Sequence, residues 1–161
     1  MTAREAGALG AAKTGEPMTE GGEDGRLRAR PSTAPRPALA PGLHDFGKVR
    51  GRKAMLYVPA GYRAVVQSPF VLSFHGAGGS AEGGLYPLRD LADEAGLVLL
   101  SPGSEASTWD LLRGGFGPDV TFIDALLQRA FELVNVDPRL LGVAGFSDGA
   151  SYALSLGITN G

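Results

Sequence analysis

Three short runs constrain this chain more than anything else in it. "PFVLSFHG" (Pro69–Gly76), "LVLLSPG" (Leu97–Gly103) and "LLGVAGF" (Leu140–Phe146) are apolar almost from end to end, and each stops in or beside a glycine. A strand wetted on one side alternates apolar with polar residues, whereas a strand covered on both faces does not. Segments of helical spacing lie between these runs. "LYPLRDLADEAG" (Leu85–Gly96) closes on a glycine suited to a C-cap. "PDVTFIDALLQRAFELVNV" (Pro118–Val136) carries Ile123, Leu126, Leu127, Ala130, Phe131 and Val134 on one face, with Pro118 suited to a first turn. "DPRL" after it reads as a turn, and "GASYALSLG" as a last helix. "KAMLYVP" (Lys53–Pro59) adds one more strand. This alternation predicts an α/β fold with a mainly parallel sheet flanked by helices.

Residues 1–42 do not share the pattern. They are rich in Ala, Gly, Pro and charge and hold few large apolar side chains, too few to offset the entropy of ordering. They are expected to be a disordered tail, with the folded unit at 43–161. The basic run Arg26, Arg28, Arg30 fits a solvated linker. The net charge of −2 gives no electrostatic case for nucleic acid or an anionic membrane as partner. With no cysteine, thiolate metal sites and thiol nucleophiles are excluded. No run reaches the roughly 18 apolar residues of a membrane span. The N-terminus has no apolar core of a secretory signal and carries Glu5, Glu16, Glu20, Glu23 and Asp24. A cytoplasmic location is expected.

The breaks at the strand ends hold the chemistry. In an open α/β sheet, ligands bind beyond the carboxyl ends of the strands. Gly145-Phe146-Ser147-Asp148-Gly149 fits G-x-S-x-G, placed after an apolar strand and before a helix. Such a turn lifts the serine hydroxyl clear of the sheet, and small residues two before and two after it let strand and helix approach. The helix N-terminus aims backbone N–H groups at any anion formed there. Ser147 is therefore the candidate nucleophile. One oxyanion donor would be the N–H of Asp148. The other would come from the loop after an earlier strand, for which "HGAGG" (His75–Gly79) is suited. Gly76 or Ala77 would supply it, with Ala77 preferred.

"FHGAGGSA", "TWDLLRGGFGPDVTFIDALL" and "VDPRLLGVAGFSDGASYALSLG", in this order and spacing, resemble the α/β-hydrolase superfamily. More narrowly they are similar to phospholipase/carboxylesterase-like and polyhydroxybutyrate-depolymerase-like esterases. The resemblance spans about Lys53 to Gly161. It implies a hydrolase acting on a small-molecule carboxylic ester, with Ser147 as nucleophile, Asp148 N–H and the His75–Gly78 loop as oxyanion hole, and no metal or organic cofactor. Trp109 and Asp110, after a strand-end loop, are expected to line the substrate pocket.

The superfamily's order is serine, then acid, then histidine. Here both histidines, His44 and His75, precede Ser147. In the resembling pattern His75 holds its own loop rather than acting as base, and Asp148 is a helix-start carboxylate favoured by the dipole. The acid and the histidine are expected beyond Gly161, so that the domain is truncated after the nucleophile helix and inactive alone. The strand bearing Ser147 would then lie near an open edge. Two other readings remain: a non-catalytic hydrolase-like protein, and a dinucleotide-binding domain built on Gly76-Ala77-Gly78-Gly79-Ser80-Ala81 with Glu105 as ribose ligand. Against the second, Glu82-Gly83-Gly84 is expected to keep the loop open before Pro87, and Glu105 lies further on than the usual roughly 20 residues. The oligomeric state and the particular ester are not legible.

Overall fold

A computed structural model describes residues 22–32, 39–49 and 51–161. Five strands form one sheet: β1 (Gly42–Val49), β2 (Arg52–Val58), β3 (Ser68–Phe74), β4 (Val98–Pro102) and β5 (Val136–Gly145). Their order across the sheet is β1-β2-β4-β3-β5. The β3–β4 and β3–β5 pairs are parallel, while β1–β2 and β2–β4 are antiparallel. The fold is α/β as the sequence predicts, with the parallel part at the end of the sheet that carries the candidate site.

Helices cover both faces. Side chains alternate across a strand, so Ala54, Leu56 and Val58 of β2 join Phe70, Leu72 and Phe74 of β3 in one core. That core is closed by α2 (Pro118–Leu133) through Phe122, Ile123, Leu126 and Ala130, and by α3 (Asp148–Asn160) through Tyr152, Ala153 and Leu156. Met55, Tyr57 and Leu99 face the other way, onto Leu85 and Ala92 of α1 (Ala81–Ala95). The continuous apolar runs of β3 and β4 follow from this double cover.

Several local expectations are corrected. Helix α1 begins at Ala81, not Leu85, because Ser80 caps it, accepting from Gly83 N–H. Glu82, Gly83 and Gly84 are thus helical, and Pro87 lies inside the helix. Gly84 is the price of close packing, since a Cβ there would stand 3.0 Å from the Ser73 carbonyl oxygen. Gly96 ends the helix at φ 66°, its N–H donating to Ala92 O. "DPRL" is not a free turn but part of β5: the register advances from Ser68↔Val136 to Phe70↔Leu141, absorbing the extra residues as an irregularity. Nor is β5 a buried strand. Among the described residues it is an edge, with Leu140, Leu141 and Val143 exposed.

Much of the segment read as tail lies outside the described residues, but 22–32 lies against the fold. Arg28 and Ala29 donate their N–H groups to Asp124 Oδ1 at 2.6 and 2.8 Å, and Leu27 N–H donates to Asn160 Oδ1 at 2.7 Å. Leu27 and Ala29 pack on the α2/α3 core. Side-chain acceptors here replace the apolar area that the segment lacks.

Candidate active site

β5 leaves the sheet at Gly145 and α3 starts at Asp148, so Phe146 and Ser147 make the turn. Ser147 has φ 52° and ψ −120°, and among the described residues it is the one non-glycine with positive φ. Such a conformation costs about 1–3 kcal/mol and persists only where the surroundings impose it. Two glycines show how they do. A Cβ at Gly145 would lie 2.7 Å from Ala150 N and closer still to the Gly149 carbonyl oxygen. A Cβ at Gly149 would lie 2.5 Å from the His75 carbonyl oxygen and closer to that of Phe74. Helix and strands touch backbone to backbone, and the chain has room to turn only through a strained residue. Phe146 N–H donates to Phe74 O at 3.1 Å, and Gly149 N–H to Phe146 O at 2.9 Å, closing the turn. The Ser147 side chain caps nothing and is exposed.

The loop after β3 lies directly against this turn. A Cβ built on Gly76 would stand 3.3 Å from Ser147 Cβ and 3.2 Å from Phe146 Cδ1. Gly78 N–H donates to Ser107 O at 2.6 Å and Gly79 N–H to Gly76 O at 3.0 Å. The N–H groups of Gly76 and Ala77 have no partner among the described residues. Asp148, first residue of α3, is among the N–H groups that a helix start leaves unpaired. The three amides anticipated from sequence therefore belong to the two segments that flank Ser147.

His75 is buried and committed at both ring nitrogens. Nε2 accepts the Ser104 N–H at 3.1 Å, which places the proton on Nδ1, and Nδ1 donates to Gly76 O at 2.7 Å. It shapes its own loop and has no lone pair left for Ser147. His44 lies on β1, at the opposite edge of the sheet from β5 and four strand spacings away, roughly 19 Å.

Trp109 and Asp110, expected to line the substrate pocket, are both buried. Trp109 is fully buried between Phe74, Tyr152 and the His75 ring, and its indole N–H donates to His75 O at 2.9 Å. Asp110 is buried and accepts the N–H groups of Gly117 and Asp119 at 2.9 and 2.8 Å, capping α2 from outside. An aromatic beside an acid in a strand-end loop suits a pocket wall or a plug equally. The partners that make it a plug lie far along the chain.

The loop after β4 is legible as a loop, but Ser104, Ser107 and Thr108 in it have no sequence-predicted role, and they tie the site together. Ser104 holds His75, Ser107 holds Gly78, Trp109 holds the His75 carbonyl, and Thr108 Oγ1 donates to Asp148 Oδ2 at 2.6 Å. Asp119 anchors this loop from beneath, accepting from Glu105 N–H at 2.9 Å, Asp110 N–H at 2.7 Å and the Arg52 guanidinium. Burial pushes the Asp119 carboxyl up, and Arg52 and the two amides oppose that shift. Burial also pushes the Tyr152 phenol far above its ordinary value, reinforced by the Asp110 and Asp119 carboxylates, so it stays protonated. Among the described residues no cluster of three or more His, Asp or Glu could hold a metal ion, and no helix is long and apolar enough to cross a membrane.

The glycine loop also begins a helix sooner than the sequence suggests, which removes one objection to a dinucleotide site. A different one replaces it. Ser80 caps the α1 N-terminus, its Oγ accepting from Gly83 N–H, one of the amides that a bound pyrophosphate would use.

No family model and no curated protein sequence matches this chain. Solved structures do. An acetyl xylan esterase from Aspergillus awamori is 20% identical with a TM-score of 0.50, over 67% of this chain and 43% of that one. An S-formylglutathione hydrolase from Agrobacterium tumefaciens is 16% identical with a TM-score of 0.53, over 68% of this chain and 48% of that one. A thermostable esterase is 18% identical with a TM-score of 0.50, over 72% of this chain and 36% of that one. The likeness is one of fold: the chain has the α/β-hydrolase-type architecture that the sequence resembles, and it spans less than half of each of these structures.

Proposed function

We propose that the chain is the nucleophile-bearing part of a serine hydrolase of small carboxylic esters, at work in the cytoplasm. The observation that carries this reading is the imposed backbone of Ser147, exposed at a strand-to-helix turn between unpaired amides. Its Oγ would attack the ester carbonyl carbon. The carbonyl oxygen, gaining charge, would accept from Asp148 N–H and from Ala77 or Gly76 N–H. Donors fixed in advance need no reorganisation as that charge develops. Collapse of the tetrahedral species expels the alcohol and leaves an acyl-serine, which water then cleaves. No step calls for a metal or an organic cofactor.

The Oγ proton needs an acceptor. Neither histidine here is placed to take it, because His75 is committed at both nitrogens and His44 lies across the sheet. We assign the base and its acid partner to sequence outside these 161 residues, in keeping with structural relatives of which this chain spans less than half.

The test is covalent labelling of the protein from its natural source with a fluorophosphonate, followed by peptide mapping. An adduct on Ser147, absent in Ser147→Ala, is expected, with ester turnover falling at least about 10³-fold in that variant. Ester turnover that survives the substitution would remove Ser147 from the mechanism. A protein with neither adduct nor turnover would be a non-catalytic relative of the hydrolases.

A further inference from the structure

Two large aromatic side chains stand in solvent beside the candidate nucleophile. Phe146 is 68% exposed and Tyr86, on α1, is 75% exposed. Both line one depression of about 480 Å³, together with Gly76, Ala77 and Pro87. Its floor is continuous with the turn, since Gly76 abuts both Phe146 and Ser147. We propose that Phe146 and Tyr86 are specificity-determining residues that bind a neutral aryl group of the ester.

Three features select that chemistry. No Asp, Glu, Lys or Arg lines the depression, and the His75 ring nitrogens are both engaged. A charged group placed there would lose water without gaining a partner. The volume falls in the range of small-molecule sites. Gly76, Gly79 and Gly83 also line it, which leaves backbone open to a flat ring beside two aromatic side chains. Phe146 precedes Ser147 directly and Gly76 lies against both, so a ring held there is next to the turn that carries the proposed nucleophile. The ring can belong to the acyl or the alcohol side.

This inference rests on the proposed role of Ser147, but its test does not need turnover. In the Ser147→Ala protein, binding of phenethyl acetate and of methyl phenylacetate is measured by NMR titration against their cyclohexyl analogues. At least one aryl ester is expected to bind about three- to tenfold tighter than its analogue. Phe146→Ala and Tyr86→Ala should each reduce that preference, and both positions are exposed enough to be truncated without loss of core. Which ester shows the effect assigns the ring to the acyl or the alcohol side. Equal affinity for aryl and cyclohexyl partners, or a preference unchanged in both variants, overturns the inference. Failure of fluorophosphonate labelling would instead overturn the nucleophile.

Discussion

Two glycines in the first turns of two helices should respond to the same substitution with opposite sign. Gly149 is buried at the start of α3, two residues after Ser147. The atoms that a Cβ there would meet, the carbonyl oxygens of Phe74 and His75, are backbone, so no rotamer relieves the contact. To restore an ordinary separation, α3 must move off β3 by on the order of 1 Å. Overpacking of this kind costs about 1–3 kcal/mol. The gain in helix propensity from Gly to Ala offsets at most about 1 kcal/mol. With the full offset, the expected net loss for Gly149→Ala is about 0–2 kcal/mol, centred on about 1 kcal/mol. Gly83, in the first turn of α1, is open by contrast: the nearest atom to its built Cβ is Ser80 Oγ at 3.8 Å. Gly83→Ala should therefore gain about 0.5–1 kcal/mol from the smaller entropy of the unfolded chain.

The assay is urea unfolding, with a shift in midpoint at constant m for each variant. A second readout belongs to Gly149→Ala alone. A displacement of about 1 Å at a reacting atom costs on the order of 10²-fold in rate, so fluorophosphonate labelling of Ser147 should slow far more than stability alone would explain. The reasoning fails if both variants move the midpoint in the same direction. It also fails if Gly149→Ala keeps wild-type stability and labelling, for then the contact of α3 with β3 does not impose the serine backbone.

Two further outcomes follow from the edges and surfaces of the fold. Among the described residues β5 has no partner on its outer side, with Leu140 54% exposed and Ile158 of α3 75% exposed beside it; such edges template association. The 161-residue chain should self-associate at micromolar concentration in sedimentation velocity, Leu140→Lys with Ile158→Lys should reduce it, and a monomer that unfolds cooperatively would refute this. On β2, a hydrogen bond from the Lys53 ammonium holds the Glu82 carboxyl below its ordinary value. A lowered folded value means stabilisation that is present above the unfolded value, about 4.3, and lost as pH falls through the folded one. The acid limb of a stability–pH profile should flatten in Lys53→Met, and an unchanged slope would show that solvent screens the pair completely.

What the sequence disclosed and what it withheld divide along the range of the interactions involved. β3 and β4 were legible because burial on both faces is written in their own residues. Gly145 and Gly149 were legible because a strand-to-helix turn this tight leaves no space for a Cβ at either position, a demand met within five residues. β1 was not, since "GLHDFGKV" has little apolar alternation and is a strand through its pairing with β2. The exposure of β5 was foreseen from its place at the end of the sheet and contradicted by its own apolar composition, and the place decided the outcome.

The loop after β4 is the extreme case. Ser104, Ser107 and Thr108 carry no local signal: each is a small polar residue in a stretch that reads as linker. Their roles exist because Asp119, on a helix further along, pins the loop through Glu105 and Asp110. The pinned loop then meets His75 and Gly78 from one side and Asp148 from the other. A turn can declare a candidate nucleophile in a pentapeptide. The relative placing of its two flanking sets of amides depends on four segments brought together by the sheet, which is why Trp109 and Asp110 can be noticed from sequence while their burial and their distant partners cannot.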